Sequence, residues 1–187
     1  LTAQIAHLLQ LAGIAKNELV AIGVALGPGS FAGLRVGMSV AKGLAGSLQI
    51  PLLGVPTLDA IAGAYIFQTQ PLWVIIAAGR SRYSVARFVA EGGAMRRVSE
   101  LALVDARGLA DLAAEQNTPA LFCGEIDAAL EKILREQFGE HAQIASPAMN
   151  ARRAGYLAEL AWARLQRGES DDARTLAPVY MPTASIQ

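Results

Sequence analysis

One stretch limits the fold more than any other. Val20-Ala-Ile-Gly-Val-Ala-Leu26 runs straight into Gly27-Pro-Gly-Ser-Phe-Ala-Gly-Leu-Arg-Val-Gly37. The first part is apolar and β-branched, as a buried strand requires, and the second turns on glycine into a helical pattern. Gly27 and Gly29 allow backbone angles closed to other residues, and Pro28 between them stiffens the loop. Ser30 stands where its side-chain oxygen can accept a bond from a first-turn N–H and so cap the helix. A strand, a glycine turn and an exposed helix N-terminus make a generic anion site, with Gly27, Gly29 and Ser30 as weak, degenerate nucleotide-binding residues. The same residues suit a tight turn that binds nothing, and the two readings fit equally. Two sharper phosphate motifs fail. A P-loop needs Gly-Lys-Ser/Thr at its end, and here Gly33 is followed by Leu34-Arg35. The dinucleotide fingerprint Gly-x-Gly-x-x-Gly is one residue too wide, and Asp59 comes late for its acidic partner.

The helix after the turn places Gly33, Gly37, Ala41 and Ala45 four residues apart, along one side. An interior glycine costs about 1 kcal/mol against alanine, which argues that another backbone approaches there. Val36, Val40 and Leu44 run beside the stripe, with Leu34 and Met38 beyond. So apolar a helix is expected to be covered on most sides, by its own domain or by a partner chain, and intramolecular burial is the commoner case.

These residues resemble a family. The glycine segment, then Ala41-Lys-Gly-Leu-Ala45, Leu53-Gly-Val-Pro-Thr-Leu-Asp59 and the closing Leu176-Ala-Pro-Val-Tyr180, are similar to the bacterial TsaB (YeaZ) family of the glycoprotease-like superfamily. Its members serve tRNA threonylcarbamoyladenosine modification. Ala32 stands where the family usually has Thr. The resemblance implies an α/β, actin-like two-lobe ATPase fold (ribonuclease H-like). It assigns residues 1–70 to an incomplete first lobe, 72–146 to a second lobe, and 150–187 to a helix and tail that return to the first.

Two departures from the family pattern stand out. Family members begin with a strand bearing an Asp-Thr-Ser/Thr turn and two further short strands. This chain opens at Leu1 on what resembles the family's first helix, so the first lobe is expected to lack its N-terminal strands; truncation, processing and missing density all suit that start. In Ile76-Ala-Ala-Gly-Arg-Ser-Arg-Tyr-Ser84, relatives carry an acid at Ala77, a Glu near Arg82 and a Tyr near Ser84. The exchange puts neutral and basic groups where metal–nucleotide chemistry would want charge of the other sign.

Composition narrows the function classes. The chain has 187 residues, 53% of them hydrophobic, which is ample for a core, and a formal net charge of +0 gives no global pull toward nucleic acid. Arg96-Arg97 and Arg152-Arg153 read as local pairs on a solvated face. Cys123 is the only cysteine, so no internal disulfide or cysteine–zinc cluster can form, and Pro119-Ala-Leu-Phe-Cys-Gly124 reads as a buried strand with a core thiol. His7 and His141 are too far apart for helical ligand spacing, and the catalytic relatives' paired metal histidines have no counterpart, so no metal site is expected. The longest apolar run, Leu72–Ala78, falls far short of the roughly 20 residues needed to span a membrane, and a cytoplasmic location is the simplest expectation.

Strand and helix signals alternate, which argues for α/β layers. Ile5, Leu8, Leu9 and Ala12 define one helical face, closed by Gly13. Strands are expected at Ile50–Val55, Trp73–Ala78, Tyr83–Val89 and Met95–Val98, and a helix from Thr57 to Gly63. Gln68-Thr-Gln-Pro71 reads as the connector between lobes. Asp105, Asp127 and Asn150 are the expected N-caps of three later helices.

The resemblance favours a non-catalytic scaffold that docks on the catalytic threonylcarbamoyl-transferase homologue through its first two helices. Leu8, Ala12, Gly33, Val36, Gly37, Val40 and Leu44 are the candidate interface residues. A small ATPase subunit of the same pathway is a further expected partner, with tRNA met only through the complex and a homodimer expected in isolation. The chain alone is expected to hold no cofactor, with ATP and magnesium left to the assembled complex. The alternatives are a stand-alone nucleotide-binding ATPase and, more weakly, a peptidase, for which no Ser/His/Asp, Cys/His or metal constellation stands in the sequence.

Overall fold

The computed structural model describes residues 1–116 and 118–180. They divide into two compact units, Leu1–Thr57 with Leu157–Tyr180, and Leu58–Tyr156.

In the first unit, α1 (Thr2–Ala12) ends at Gly13, whose left-handed backbone lets its N–H reach back to the last turn. Strand β1 (Ile22–Gly27) leads through the glycine turn into α2 (Phe31–Leu48), and β2 (Leu52–Pro56) returns parallel to β1, with Ile22 opposite Leu52. One face of this two-stranded sheet packs on α2 through Val24, Met38, Ala41, Ala45 and Leu52. The other takes α6 (Ala154–Gln166), and a Cβ on Gly23 would lie 3.0 Å from that of Ala161. The glycine is therefore what lets helix and strand approach.

The outer edge of β2 is closed by Asp171 and Arg164 rather than by a strand. The Asp171 amide donates to the Leu52 carbonyl at 2.8 Å, and the Asp171 carboxylate accepts from the Gly54 amide at 2.7 Å. Arg164 grips that carboxylate with two bonds, 2.9 and 3.0 Å, and reaches the Gly54 carbonyl at 2.7 Å. An edge strand's open groups are thus satisfied from α6 and the tail.

The second unit contains α3 (Thr57–Ala62) from Leu58 onward and a six-stranded sheet. Its strands are β3 (Leu72–Gly79), β4 (Arg82–Glu91), β5 (Ala94–Arg97), β6 (Ala102–Asp105), β7 (Ala120–Gly124) and β8 (Ala142–Ile144). The order is β5-β4-β3-β7-β8, with β6 also on β4; β3, β7 and β8 run parallel, and β4 runs against β3. Central β3 alternates Leu72, Val74 and Ile76 into one core with Trp73 and Ile75 into the other, so its run is apolar throughout because both faces are buried. The first core is closed by α3, the second by α4 (Ala106–Ala114) and α5 (Ala128–Phe138).

Ser30, Asp105 and Asp127 cap their helices as expected, accepting from Gly33, Gly108 and Leu130. Asn150 does not. Its side-chain oxygen takes the Gly124 amide at 2.8 Å and the Tyr65 hydroxyl at 3.2 Å, and α6 begins only at Ala154. The boundary expected near residue 70 falls at 57/58, because Leu58, Ala62 and Tyr65 pack into the second unit's core. Residues 68–71 therefore lie within that unit and do not link lobes. Cys123 is fully buried, and burial pushes its thiol up to about 12, as a core thiol behaves.

Candidate functional site: the glycine loop and the outer helix faces

Gly27 ends β1 at φ 105°, and a Cβ there would meet the Val179 carbonyl at 2.8 Å and Leu34 at 3.0 Å. Only glycine fits. The tail is what occupies this space. The Val179 amide donates to the Leu26 carbonyl at 2.7 Å. The Tyr180 ring lies 5.1 Å from that of Phe31, and its hydroxyl accepts from Arg35 Nε at 3.2 Å. The Arg35 guanidinium itself sits 4.1 Å over the Phe31 ring, a cation–π contact. The loop's own donors are partly engaged: the Gly27 amide bonds Thr57 Oγ1 at 3.1 Å, the Gly33 amide bonds Ser30 Oγ at 3.3 Å, and Pro28 has none. Gly29 and Ser30 stay exposed. The arrangement holds the turn in one shape and leaves a reduced set of N–H groups for an anion.

The stripe Gly33, Gly37, Ala41, Ala45 does not stay on one side. Each step of four residues overshoots a full turn by roughly 40°. Ala41 and Ala45 consequently enter the core with Leu34 and Met38, while Gly33 is exposed and Gly37 is partly so. A Cβ on Gly37 would meet nothing within 4 Å, so no backbone of the described residues crosses there. The helix is covered along a single face. Its other side shows Phe31 at 56% and Val36 at 54% exposure, with Val40 and Leu44 half-buried.

Helix α1 is barer still. None of its residues is buried; Leu8 stands 64% and Leu11 70% exposed, Ala12 is exposed, and Ile5 and Leu9 are half-buried. The expected apolar face Ile5–Leu8–Leu9–Ala12 is therefore only half covered, and Leu11, outside that face, adds to the open apolar surface.

At the edge of the second unit, Ala77 is exposed, and its amide donates to Glu125 Oε2 at 2.8 Å. Glu125 also pairs with Arg152. Where the sequence puts a neutral residue, the fold brings up a carboxylate from the end of another strand. Only the parallel register, with Gly124 opposite Ile75, creates this neighbourhood. The role of Arg164 and Asp171 is not legible in the sequence either, because their shared target, Gly54, lies 110 and 117 positions away. Among the described residues no cluster of three or more potential metal-ligating side chains forms.

The fold defines an α/β protein of the actin-like, ribonuclease H-like type. The chain belongs to the family described as TsaD, tRNA N6-adenosine threonylcarbamoyltransferase, whose family model matches residues 1–185. Within it the likeness runs to TsaB. The tRNA threonylcarbamoyladenosine biosynthesis protein TsaB of Bacillus subtilis is 27% identical over 180 residues, 96% of this chain and 77% of that protein. A tRNA N6-adenosine threonylcarbamoyltransferase of Nitratidesulfovibrio vulgaris is 53% identical over 53 residues, but these make up only 28% of this chain and 15% of that protein. The solved structure of YeaZ from Pseudomonas aeruginosa superposes with a TM-score of 0.76 at 26% identity, covering 96% of this chain and 82% of that one. No helix among the described residues is long and apolar enough to cross a membrane.

Proposed function

We propose that this protein is a non-catalytic scaffold of the tRNA N6-threonylcarbamoyladenosine machinery, docking on the catalytic threonylcarbamoyl-transferase homologue through α1 and the outer side of α2. The observation that carries the reading is the uncovered apolar surface on those helices: Leu8, Leu11, Phe31 and Val36 each stand more than half exposed. Fully burying such side chains is worth about 1.5–3 kcal/mol apiece, so a surface of this kind is costly to leave in water. Leu8, Ala12, Gly33, Val36, Gly37, Val40 and Leu44 form the contact in this reading. Without the partner, two copies of the chain meet through the same helices. The likeness to TsaB over 96% of this chain and 77% of that protein supports a scaffold over a transferase, since the match to a named transferase spans 15% of that protein.

The chain alone holds no nucleotide tightly, and ATP, magnesium and the pathway's small ATPase subunit act on the assembled complex. The tail pinned across Gly27 and the engaged Gly27 and Gly33 amides support this. The work belongs in the cytoplasm, where tRNA is modified.

The test is co-purification with the catalytic homologue, followed by an assay of tRNA modification, for the native chain and for Gly37→Leu. Because the space at Gly37 is open and leucine favours helix, the variant should melt near the native temperature yet lose partner binding and modification together. A variant that folds and still pairs normally refutes the interface.

A further inference from the structure

The sheet of the second unit ends in an uneven distribution of charge. At the end where β3 and β7 finish, the β3–β4 turn carries Arg80, and Arg82 opens β4. Arg82 lies opposite Asp105, so β6 ends beside it and α4 starts there with Arg107. Glu125 follows β7 and reaches Ala77, bringing its partner Arg152, and next to it Arg153, to the same end. All five arginines except the half-buried Arg82 are exposed.

Three carboxylates share this end, and each is turned toward donors of the protein itself. Asp105 caps α4 through the Gly108 amide at 2.8 Å. Asp127 caps α5 through the Leu130 amide and takes the Tyr83 hydroxyl, both at 2.8 Å, and these bonds hold its carboxyl below the usual range. Glu125 takes the Ala77 amide and Arg152. Arg80, Arg82, Arg107 and Arg153 make no ion pair among the described residues. Elsewhere in the unit the pattern is mixed: Arg96 pairs with Glu91, Lys132 with Glu136 and Arg135 with Glu131, while Arg97 makes no ion pair among the described residues and Arg87 bonds the neutral Gln116. In a chain of formal net charge +0, unmatched arginines gathered at one end are a local feature and do not reflect overall basicity.

We propose that this end of the second unit contacts the phosphodiester backbone of RNA through Arg80, Arg82, Arg107 and Arg153. The proposal rests on the reading that the chain serves tRNA modification, and adds a direct contact to a substrate otherwise met through the complex. Guanidinium groups match phosphate with paired N–H donors, and an array of exposed arginines along one rim suits a polyanion. Such contacts position a backbone and read no bases.

The experiment is titration of fluorescently labelled tRNA with the full chain at 50 and 200 mM salt, read by anisotropy. Four phosphate contacts give a log–log salt slope of about −3, which over this range is a loss of affinity on the order of 50-fold or more. The Arg80→Gln/Arg82→Gln/Arg153→Gln variant should lose at least about tenfold in affinity at 50 mM and show a slope near −1. Arg135→Gln, already paired on α5, should bind as the native chain does. If the triple variant melts early, Arg80→Gln/Arg153→Gln, at two exposed positions, should still reduce the slope by about two. Native-like binding by these variants, equal loss in Arg135→Gln, no binding by the native chain at 50 mM, or displacement of tRNA by polyglutamate at lower concentration overturns the proposal. Loss of tRNA binding with retained docking on the catalytic homologue leaves the scaffold reading standing, and the opposite pattern removes the scaffold reading alone.

Discussion

The two units spend their apolar residues differently. The second buries both faces of its sheet under its own helices, and Phe88, Phe122, Leu130 and Leu134 have no measurable contact with solvent. The first has a two-stranded sheet, a small core around Val24, Met38 and Leu52, and a helix, α1, with no buried residue at all. The second unit buries its sheet on both faces but leaves Phe67 91% exposed, whereas the first keeps Leu8, Leu11, Phe31 and Val36 more than half exposed along α1 and α2. The arginines differ as well: Arg164 closes a strand edge within the first unit, while Arg80, Arg82, Arg107 and Arg153 of the second make no ion pair among the described residues.

The contrast breaks most visibly under truncation. Phe88→Ala, in the second unit's core, should cost about 3–5 kcal/mol, whereas Leu8→Ala on α1 should stay within about 0.5 kcal/mol, both read from urea unfolding. A large loss at Leu8 would mean that α1 is already packed in the free protein.

Next in size is the strand edge of the first unit. Asp171→Asn removes the charge that Arg164 and the Gly54 amide meet, and should cost on the order of 2 kcal/mol at neutral pH. The sign of its pH dependence follows from the Arg164 hydrogen bonds, which hold the folded carboxyl below its ordinary 3.8. Unfolded chains then bind the proton first as pH falls, so the stabilisation is complete above about pH 4 and is lost on further acidification. The gap between native and variant chains should therefore close below pH 4; a gap that stays constant down to pH 2 would sink the assignment.

The smallest effect has the opposite sign. Gly43, in the interior of α2, faces open space, and Gly43→Ala should raise stability by up to about 1 kcal/mol in thermal melts. Destabilisation there would show that the outer side of α2 is covered in the isolated protein, against the contrast between the units.

Much of the architecture was legible beforehand because it rests on local chemistry. The glycine turn with its Ser30 cap, the continuous apolar run of β3 and the aspartate caps of α4 and α5 are each decided by neighbours a few residues apart. Strands β6 and β8 were not legible. With four and three residues they carry too little periodicity, and they exist because β4 and β7 offer them a ladder. Asn150 looked like a cap by type and spacing, yet the Gly124 amide, 26 positions away, claims its oxygen.

The candidate surfaces divide along the same line. The sequence by itself determined which residues are apolar on α1 and α2 and that Gly27 must be glycine-like, since periodicity and backbone sterics act locally. Only the tertiary structure decided that the stripe on α2 splits, with Ala41 and Ala45 inward and Gly37 outward, because the helix pitch turns each fourth residue and the sheet lies on one side. It alone decided that Val179 covers Gly27, that Asp171 and Arg164 stand in for a strand, and that Glu125 arrives at Ala77. The contacts to Gly27, Gly54 and Ala77 span from 48 to 152 positions, and nothing short of chain folding brings such groups together.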